Sequence, residues 1–141
     1  MTVWGIGAFY KCVPSKNVTQ QFIDNNCACI GWEEVDAPIL YEVFKAVQVD
    51  DYIYIKAYSW RYKRLTIKAV GKVIDNAIKE RAPELDLGRG VLVEWVKSFK
   101  PDFIDFKDKP QYIRYNVYAN TLYQEYNPDI IKLVKNAVDN L

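Results

Sequence analysis

The stretch that most constrains the fold is Tyr52–Ile74, in which two alternating runs flank a short polar segment. In the first run Ile53, Ile55 and Ala57 share one face, and the opposite face carries Tyr52, Tyr54, Lys56 and Tyr58. In the second run one face carries Leu65, Ile67, Ala69 and Val73. Alternation with a period of two is typical of strands, and the connection Ser59–Arg64 is short enough for a hairpin. The sequence therefore predicts that Tyr52–Tyr58 pairs antiparallel with Leu65–Ile74.

The same stretch is strongly basic and rich in aromatic residues. It contains no acidic residue, and its basic residues are Lys56, Arg61, Lys63, Arg64, Lys68 and Lys72. Because the whole chain has a net charge of +1, the remainder sums to about −5 by subtraction of these six cations. Cations beside exposed aromatic residues are typical of a surface that binds nucleic acid. The alternative is a solvated hairpin whose lysine stems lie along the strands.

Length and composition indicate one globular domain that spans residues 1–141. Half of the residues are apolar, yet no apolar run approaches the length of a membrane span, so we expect no membrane partner. The odd cysteine count (Cys12, Cys27 and Cys29) favours reduced thiols over a disulfide framework. The first residues also lack the basic start of a signal peptide. These features predict a cytoplasmic location.

The absence of histidine narrows the chemistry that this chain can perform. Histidine is the usual general base and the usual partner of a serine or cysteine nucleophile. The acidic pairs Glu33-Glu34 and Asp50-Asp51 lie at predicted loop edges, where solvated turns explain them. We therefore expect a protein that is not an enzyme and that has no catalytic residues, no metal site and no cofactor.

The remaining elements predict an α+β protein built on a small, strongly bent mixed sheet or barrel flanked by about three helices. Ser15-Lys16-Asn17 is expected to be a loop before the first helix, and the polar segment Asp75–Leu87 a loop with one helical turn. Thr121–Tyr126 is expected to be a link to the last helix. The predicted strands are Val3–Tyr10, Cys27–Trp32, Val91–Phe99 and Tyr112–Ala119, with a short apolar piece at Phe103–Phe106. The predicted helices are Val18–Asn25, Ile39–Ala46 and Asp129–Asn140, the last with Asn127 as its cap and a continuous apolar stripe.

Several short motifs occur in an order that resembles a known family. Ile30-Gly31-Trp32 follows a tryptophan-containing first strand and a helix, and an Asp-Asp turn stands where relatives usually have Gly-Asp. YIYIKAY, LTIKAVGKV and Val93-Glu94-Trp95 then follow. This pattern, over about Val3–Phe99, is similar to the EVE branch of the PUA-like superfamily, which includes the YTH readers. It also resembles the EVE-like modules found beside modification-dependent restriction nucleases.

The resemblance implies a small β-barrel that takes a modified base of DNA or RNA into an aromatic pocket, without catalysis and in a role associated with restriction or defence. The candidate pocket walls are Trp32, Tyr58 and Trp60, although a core position is the alternative for Trp32. The candidates for backbone contacts are Lys56, Arg61, Lys63 and Arg64. For Trp4 and Trp95 we expect core packing.

A second hypothesis is a protein-interaction module or a homodimer that uses the aromatic surface and the C-terminal helix. Tyrosine and tryptophan also dominate the energetics of protein interfaces, so composition does not separate the two hypotheses.

Overall fold

The computed structural model describes residues 1–11, 14–107, 109 and 121–140 of the chain. Cys12, Leu141 and the predicted strand Tyr112–Ala119 lie outside these residues. The described strands are β1 (Val3–Gly7), β2 (Phe9–Tyr10), β3 (Lys16–Asn17), β4 (Cys27–Ile30), β5 (Tyr52–Ser59), β6 (Arg64–Glu80), β7 (Arg89–Trp95), β8 (Asp102–Asp105) and β9 (Leu122–Gln124). The described helices are α1 (Thr19–Asp24), α2 (Pro38–Lys45) and α3 (Pro128–Asp139).

Seven of the described strands form one mixed sheet that curls into a half-barrel. Their order is β4-β7-β6-β5-β1-β9, and β8 pairs with the first residues of β6. β1 runs parallel to β5, with Val3 opposite Tyr52, whereas the other pairings in this sheet are antiparallel. The predicted class, an α+β protein with a small bent sheet and about three helices, is confirmed.

The predicted hairpin is confirmed, and so are the two faces of β5, but the faces of β6 are not as predicted. β5 pairs antiparallel with β6 from Tyr52 opposite Lys72 to Ser59 opposite Arg64. Between these ends Ile55 lies opposite Ala69 and Lys56 opposite Ile67, so Lys68 is an extra residue in β6. Such a bulge inverts the alternation of the strand that carries it. Leu65 and Ile67 therefore pack on one face of the sheet, and Ala69 and Val73 on the other, instead of all four together.

Helices cover both faces of the sheet. On one face Phe22 of α1 and Tyr41 and Phe44 of α2 pack in the same core as Ile53 and Ile55. On the other face Ile130 and Val134 of α3 pack in a second core with Tyr54, Leu65 and Ile67. As a result Tyr52 and Tyr54 are buried, and they do not contribute to an exposed aromatic surface.

Two of the four tryptophans are core residues, as predicted. Trp4 donates its indole N–H to Asp51 Oδ2 at 2.9 Å, and Trp95 donates to the Cys27 carbonyl at 3.0 Å. Both indoles are buried, so these bonds satisfy polar groups that water does not reach. The turn before β5 places Asp50 at a φ of 73°, the left-handed region that glycine adopts most easily.

Two polar segments of the large sheet form strands that the sequence pattern did not predict. β6 continues to Glu80 and pairs with β7, so the first part of the predicted loop Asp75–Leu87 is a strand. The helical turn predicted in this segment is present as the 3-10 helix Pro83–Leu85. Leu122–Gln124, expected to be a link, pairs antiparallel with β1. These segments are strands because their backbones pair with a neighbouring strand, although their sequences lack apolar alternation. The start of α3 is as predicted, because Asn127 Oδ1 accepts a hydrogen bond from the Asp129 N–H at 3.0 Å.

Among the described residues no helix is long and apolar enough to cross a membrane.

Candidate functional site

A cleft of about 710 Å³ opens where β1 and β5 end and where the chain leaves β4. Trp32, Tyr58 and Trp60, the three predicted pocket residues, all line this cleft. The other described residues that line it are Gly7, Ala8, Phe9, Tyr10, Lys11, Asn17, Thr19, Gly31, Lys56, Ala57, Lys68 and Thr121. A volume of this size lies within the range of small-ligand sites.

Trp32 lies in the cleft and not in the core. Its strand was predicted to run to Trp32 but ends at Ile30, so the tryptophan follows the strand and 54% of its surface is exposed. Its backbone is held, because the buried Tyr41 donates its hydroxyl to the Trp32 carbonyl at 2.8 Å. The cleft therefore presents an accessible indole on a fixed backbone, which lowers the entropy cost of stacking a ligand on it.

Tyr58 and Trp60 form the second aromatic part of the cleft. Their ring centroids are 4.7 Å apart and their planes meet at 83°, a T-shaped arrangement. Tyr58 also packs on Phe106, with 6.0 Å between the centroids, while 59% of Trp60 remains exposed. The half-buried Tyr58 thus supports Trp60, whose own surface stays free for a flat ligand.

Tyr10 is a wall of the cleft that sequence reasoning missed. Its hydroxyl donates to the Leu87 carbonyl at 2.6 Å, and its ring meets Phe22 edge-on at 6.4 Å. Burial raises the pKa of this hydroxyl well above its ordinary value. Gly31 makes room for the ring, since a Cβ there would lie 3.0 Å from Tyr10 Cε2. The glycine directly before Trp32 was the local signal for this close approach.

Phe9 and Lys11 also line the cleft and were not predicted to do so. Phe9 is 59% exposed and belongs to β2, which pairs with β3 at Lys16–Asn17, a segment predicted to be a loop. The position of this small two-stranded sheet depends on tertiary packing.

Lys56 lies inside the cleft, away from the cations of the hairpin tip. It lies opposite Gly7 in the parallel β1–β5 pair, and a Cβ at Gly7 would be 3.3 Å from Lys56 Cε. Its Nζ lies 5.8 Å from the centroid of the Tyr123 ring. Burial, together with repulsion from Lys11, lowers the pKa of Lys56 to about 8.

The charge of the cleft has one sign. Its charged lining residues, within the described part of the chain, are Lys11, Lys56 and Lys68, and none is a carboxylate. Lys68 is the bulged residue of β6, so the irregularity that inverts the hairpin faces also adds a cation to the site. Such a cleft favours an aromatic ligand that carries negative charge or hydrogen-bond acceptors.

The cations Arg61, Lys63 and Arg64 are exposed at the hairpin tip and do not line the cleft. Arg61 lies over the Tyr62 ring at 5.3 Å. Arg64 lies over the Phe103 ring at 4.3 Å and forms a 3.8 Å ion pair with Asp105 of β8. The tip is therefore a basic surface beside the cleft, in which Asp105 offsets part of the charge of Arg64.

In the described residues no group of three or more histidine, cysteine, aspartate or glutamate side chains is arranged to hold a metal ion.

Comparison with known proteins gives a likeness of fold. No family model and no curated protein matches the chain. Among solved structures, the chain is similar to the NMR structure of Rpa0253 from Rhodopseudomonas palustris. The TM-score is 0.52 and the identity is 14%, over 100% of this chain and 95% of that chain. At this level of identity the likeness concerns the fold alone.

Proposed function

We propose that this protein is a non-catalytic nucleic-acid-binding module that takes a modified base into the cleft. The observation that carries the proposal is that Trp32, Tyr58 and Trp60 line one cleft whose charged residues, among those described, are all lysines. An extruded base needs aromatic faces on which to stack and polar groups for its edge. The cleft offers both, and it lies next to a basic surface.

In this proposal the hairpin tip binds the backbone of the nucleic acid. Arg61, Lys63 and Arg64 are exposed beside Trp60, where phosphates that flank an inserted base would lie. Phosphate contacts position a nucleic acid without reading its sequence, whereas contacts to the base provide the preference. The assignment to the EVE branch of the PUA-like superfamily, with its association with restriction or defence, is part of the same proposal. So is a cytoplasmic location, with which the buried free thiols of Cys27 and Cys29 are compatible.

A protein-interaction surface is the second candidate, and the exposed Trp32 and Trp60 are the observation that favours it. The C-terminal helix lends it less support, because the apolar stripe of α3 packs on its own sheet. The two candidates differ in salt dependence. Binding through phosphates weakens steeply as salt rises, whereas an apolar protein interface does not.

The test is a fluorescence titration of short single-stranded DNA and RNA at two salt concentrations, each with and without a modified base. We expect binding that weakens with salt and that prefers a modified base. Trp60→Ala should weaken binding by about 1–3 kcal/mol, the usual contribution of one base–aromatic stack. Trp32→Ala should remove the preference among bases. The matched control is Tyr126→Ala, which changes an aromatic residue that is 60% exposed and does not line the cleft.

If the wild type binds none of these oligonucleotides at low salt, the proposal fails, and the exposed aromatic residues belong to a protein interface. If Trp32→Ala lowers affinity equally for every base, the aromatic residues form an open stacking platform and not a selective pocket.

A further inference from the structure

We propose that the cleft selects nucleobases that carry a negatively charged exocyclic group, and that Lys56 binds this group. This inference rests on the proposed function, and it names the class of modification that the module would recognise.

The structure separates Lys56 from the cations of the tip. Lys56 is half-buried and lines the cleft together with Tyr58 and Trp60, whereas Arg61 and Lys63 are exposed and do not line it. A base stacked against these aromatic residues would therefore lie beside the Lys56 side chain. Phosphates of the backbone would instead meet the tip, where arginine can contact them in a bidentate manner.

The neighbours of Lys56 leave space for its long side chain and hold it in place. Gly7, directly opposite in β1, has no Cβ, and a Cβ there would lie 3.3 Å from Lys56 Cε and 4.0 Å from Nζ. The Tyr123 ring lies on the same side, 5.8 Å from Nζ. Gly7 and Thr121 line the cleft as well, so this part of the lysine belongs to its wall.

The electrostatics of the cleft favour an anion at this position. The ammonium group of Lys56 is partly removed from water and is repelled by Lys11, and both effects lower its pKa. Among the described residues, the charged side chains that line the cleft are those of Lys11, Lys56 and Lys68. A carboxylate on a base bound beside Tyr58 and Trp60 would accept a charge-assisted hydrogen bond from the ammonium group of Lys56. A methyl group at the same place would offer no acceptor to the lysine.

The experiment compares three single-stranded DNA oligonucleotides that differ only at carbon 5 of one cytosine, which carries hydrogen, methyl or carboxyl. Each is titrated against the wild type, Lys56→Met and Lys72→Met. Methionine keeps most of the apolar stem of lysine and removes its charge. Lys72 is a matched control because it is half-buried in the same hairpin, lies over the Tyr52 ring at 5.3 Å and does not line the cleft.

We expect the wild type to bind the carboxyl form about 10-fold or more tightly than the methyl form, as one hydrogen bond to a charged group allows. Lys56→Met should abolish this preference while still binding the unmodified form, and Lys72→Met should keep it. Thermal unfolding of Lys56→Met, run in parallel, establishes that the variant is folded.

Four outcomes overturn the inference. A wild type that binds DNA without preferring the carboxyl form contradicts it but leaves the proposed function intact. So does a folded Lys56→Met variant that keeps the preference. If Lys56→Met weakens binding to all three oligonucleotides equally, the lysine contacts a backbone phosphate instead of the base. If the wild type binds no nucleic acid, the proposed function fails and this inference fails with it.

Discussion

Lys56 lies opposite Gly7 in the parallel β1–β5 pair, and its ammonium group is partly removed from water. Burial and repulsion from Lys11 both disfavour the charged form of this lysine in the folded state, which lowers its pKa. Ionisable groups whose pKa is displaced by burial and by a like charge are frequent at functional sites, and this agrees with the proposed role of Lys56 in the cleft.

The first prediction is that Lys56→Met stabilises the folded protein near neutral pH. The folded-state pKa of Lys56, about 8, lies below the ordinary value of 10.5. Below pH 8 Lys56 is protonated in both the folded and the unfolded state, and the folded state bears the full free-energy cost of the buried charge. Between pH 8 and 10.5 the folded state loses this proton while the unfolded state keeps it. The stability of the wild type should therefore rise with pH through this window relative to the variant. The gain on substitution should be at most about 3 kcal/mol at neutral pH and should vanish in alkali.

Urea unfolding of the wild type, Lys56→Met and the control Lys72→Met across this pH range measures the effect. The prediction is wrong if Lys56→Met is less stable than the wild type near neutral pH. It is also wrong if the difference in the free energy of unfolding between the two proteins does not change with pH, because the ammonium group of Lys56 would then not destabilise the folded state.

At the scale of elements, the hairpin and the C-terminal helix could be predicted from the sequence, because both depend on local patterns. Period-two alternation and a short connection predicted the pairing of β5 with β6. The Asn127 cap predicted the start of α3. The bulge at Lys68 left no local signal, so the division of the β6 residues between two faces was not foreseen.

The candidate cleft was only partly predictable. Trp32, Tyr58 and Trp60 were candidates because the family resemblance implied an aromatic pocket and because they end predicted strands, although a core position was the alternative for Trp32. Tyr10 and Phe9 did not, because the small sheet that holds them is positioned by contacts distant in sequence. The Tyr10 hydroxyl, for instance, bonds to Leu87, 77 residues further along the chain.

The second prediction concerns α3, whose apolar stripe packs on its own sheet. Ile130 is fully buried in the core that contains Tyr54 and Leu65. Ile130→Ala should therefore lower the free energy of unfolding by about 2–5 kcal/mol, through lost burial and the cavity left behind. Lys132→Ala, on the exposed side of the same helix, should change it by less than about 0.5 kcal/mol. Urea unfolding gives both values.

Sedimentation of the Ile130→Ala variant provides the opposing test. If the variant keeps the stability of the wild type but changes the oligomeric state, α3 is an interface between subunits and its packing on the sheet is of little consequence.

At the scale of the whole molecule, the net charge is only +1, although positive charge is concentrated in one part of the chain. The hairpin from Tyr52 to Ile74 holds six cations and no acid, and the charged residues that line the cleft beside it, among those described, are all lysines. Phosphate binding depends on this local field rather than on the total, so we expect a salt-dependent interaction in spite of a nearly neutral chain.

The third prediction is that Arg61→Ala combined with Lys63→Ala weakens binding to every oligonucleotide alike. Loss of two phosphate contacts should flatten the slope of log affinity against log salt by about 1.4 for a single strand. The matched control is Lys79→Ala with Lys132→Ala, which removes two exposed cations distant from the tip in the chain. A double tip variant that keeps the salt slope, or that changes the preference among bases, would contradict the separation of backbone binding from base binding.

The central claim, that the cleft takes a base, can be tested through the four tryptophans of the chain. Trp32 and Trp60 line the cleft, whereas Trp4 and Trp95 are buried in the core with their indole N–H groups bonded. The measurement is a nitrogen–proton NMR titration of the labelled protein with a modified oligonucleotide, following the four indole signals after assignment by tryptophan-to-phenylalanine variants. We predict that the Trp32 and Trp60 signals shift together and saturate while the Trp4 and Trp95 signals stay in place. Binding that leaves the Trp32 and Trp60 signals unmoved would contradict the claim.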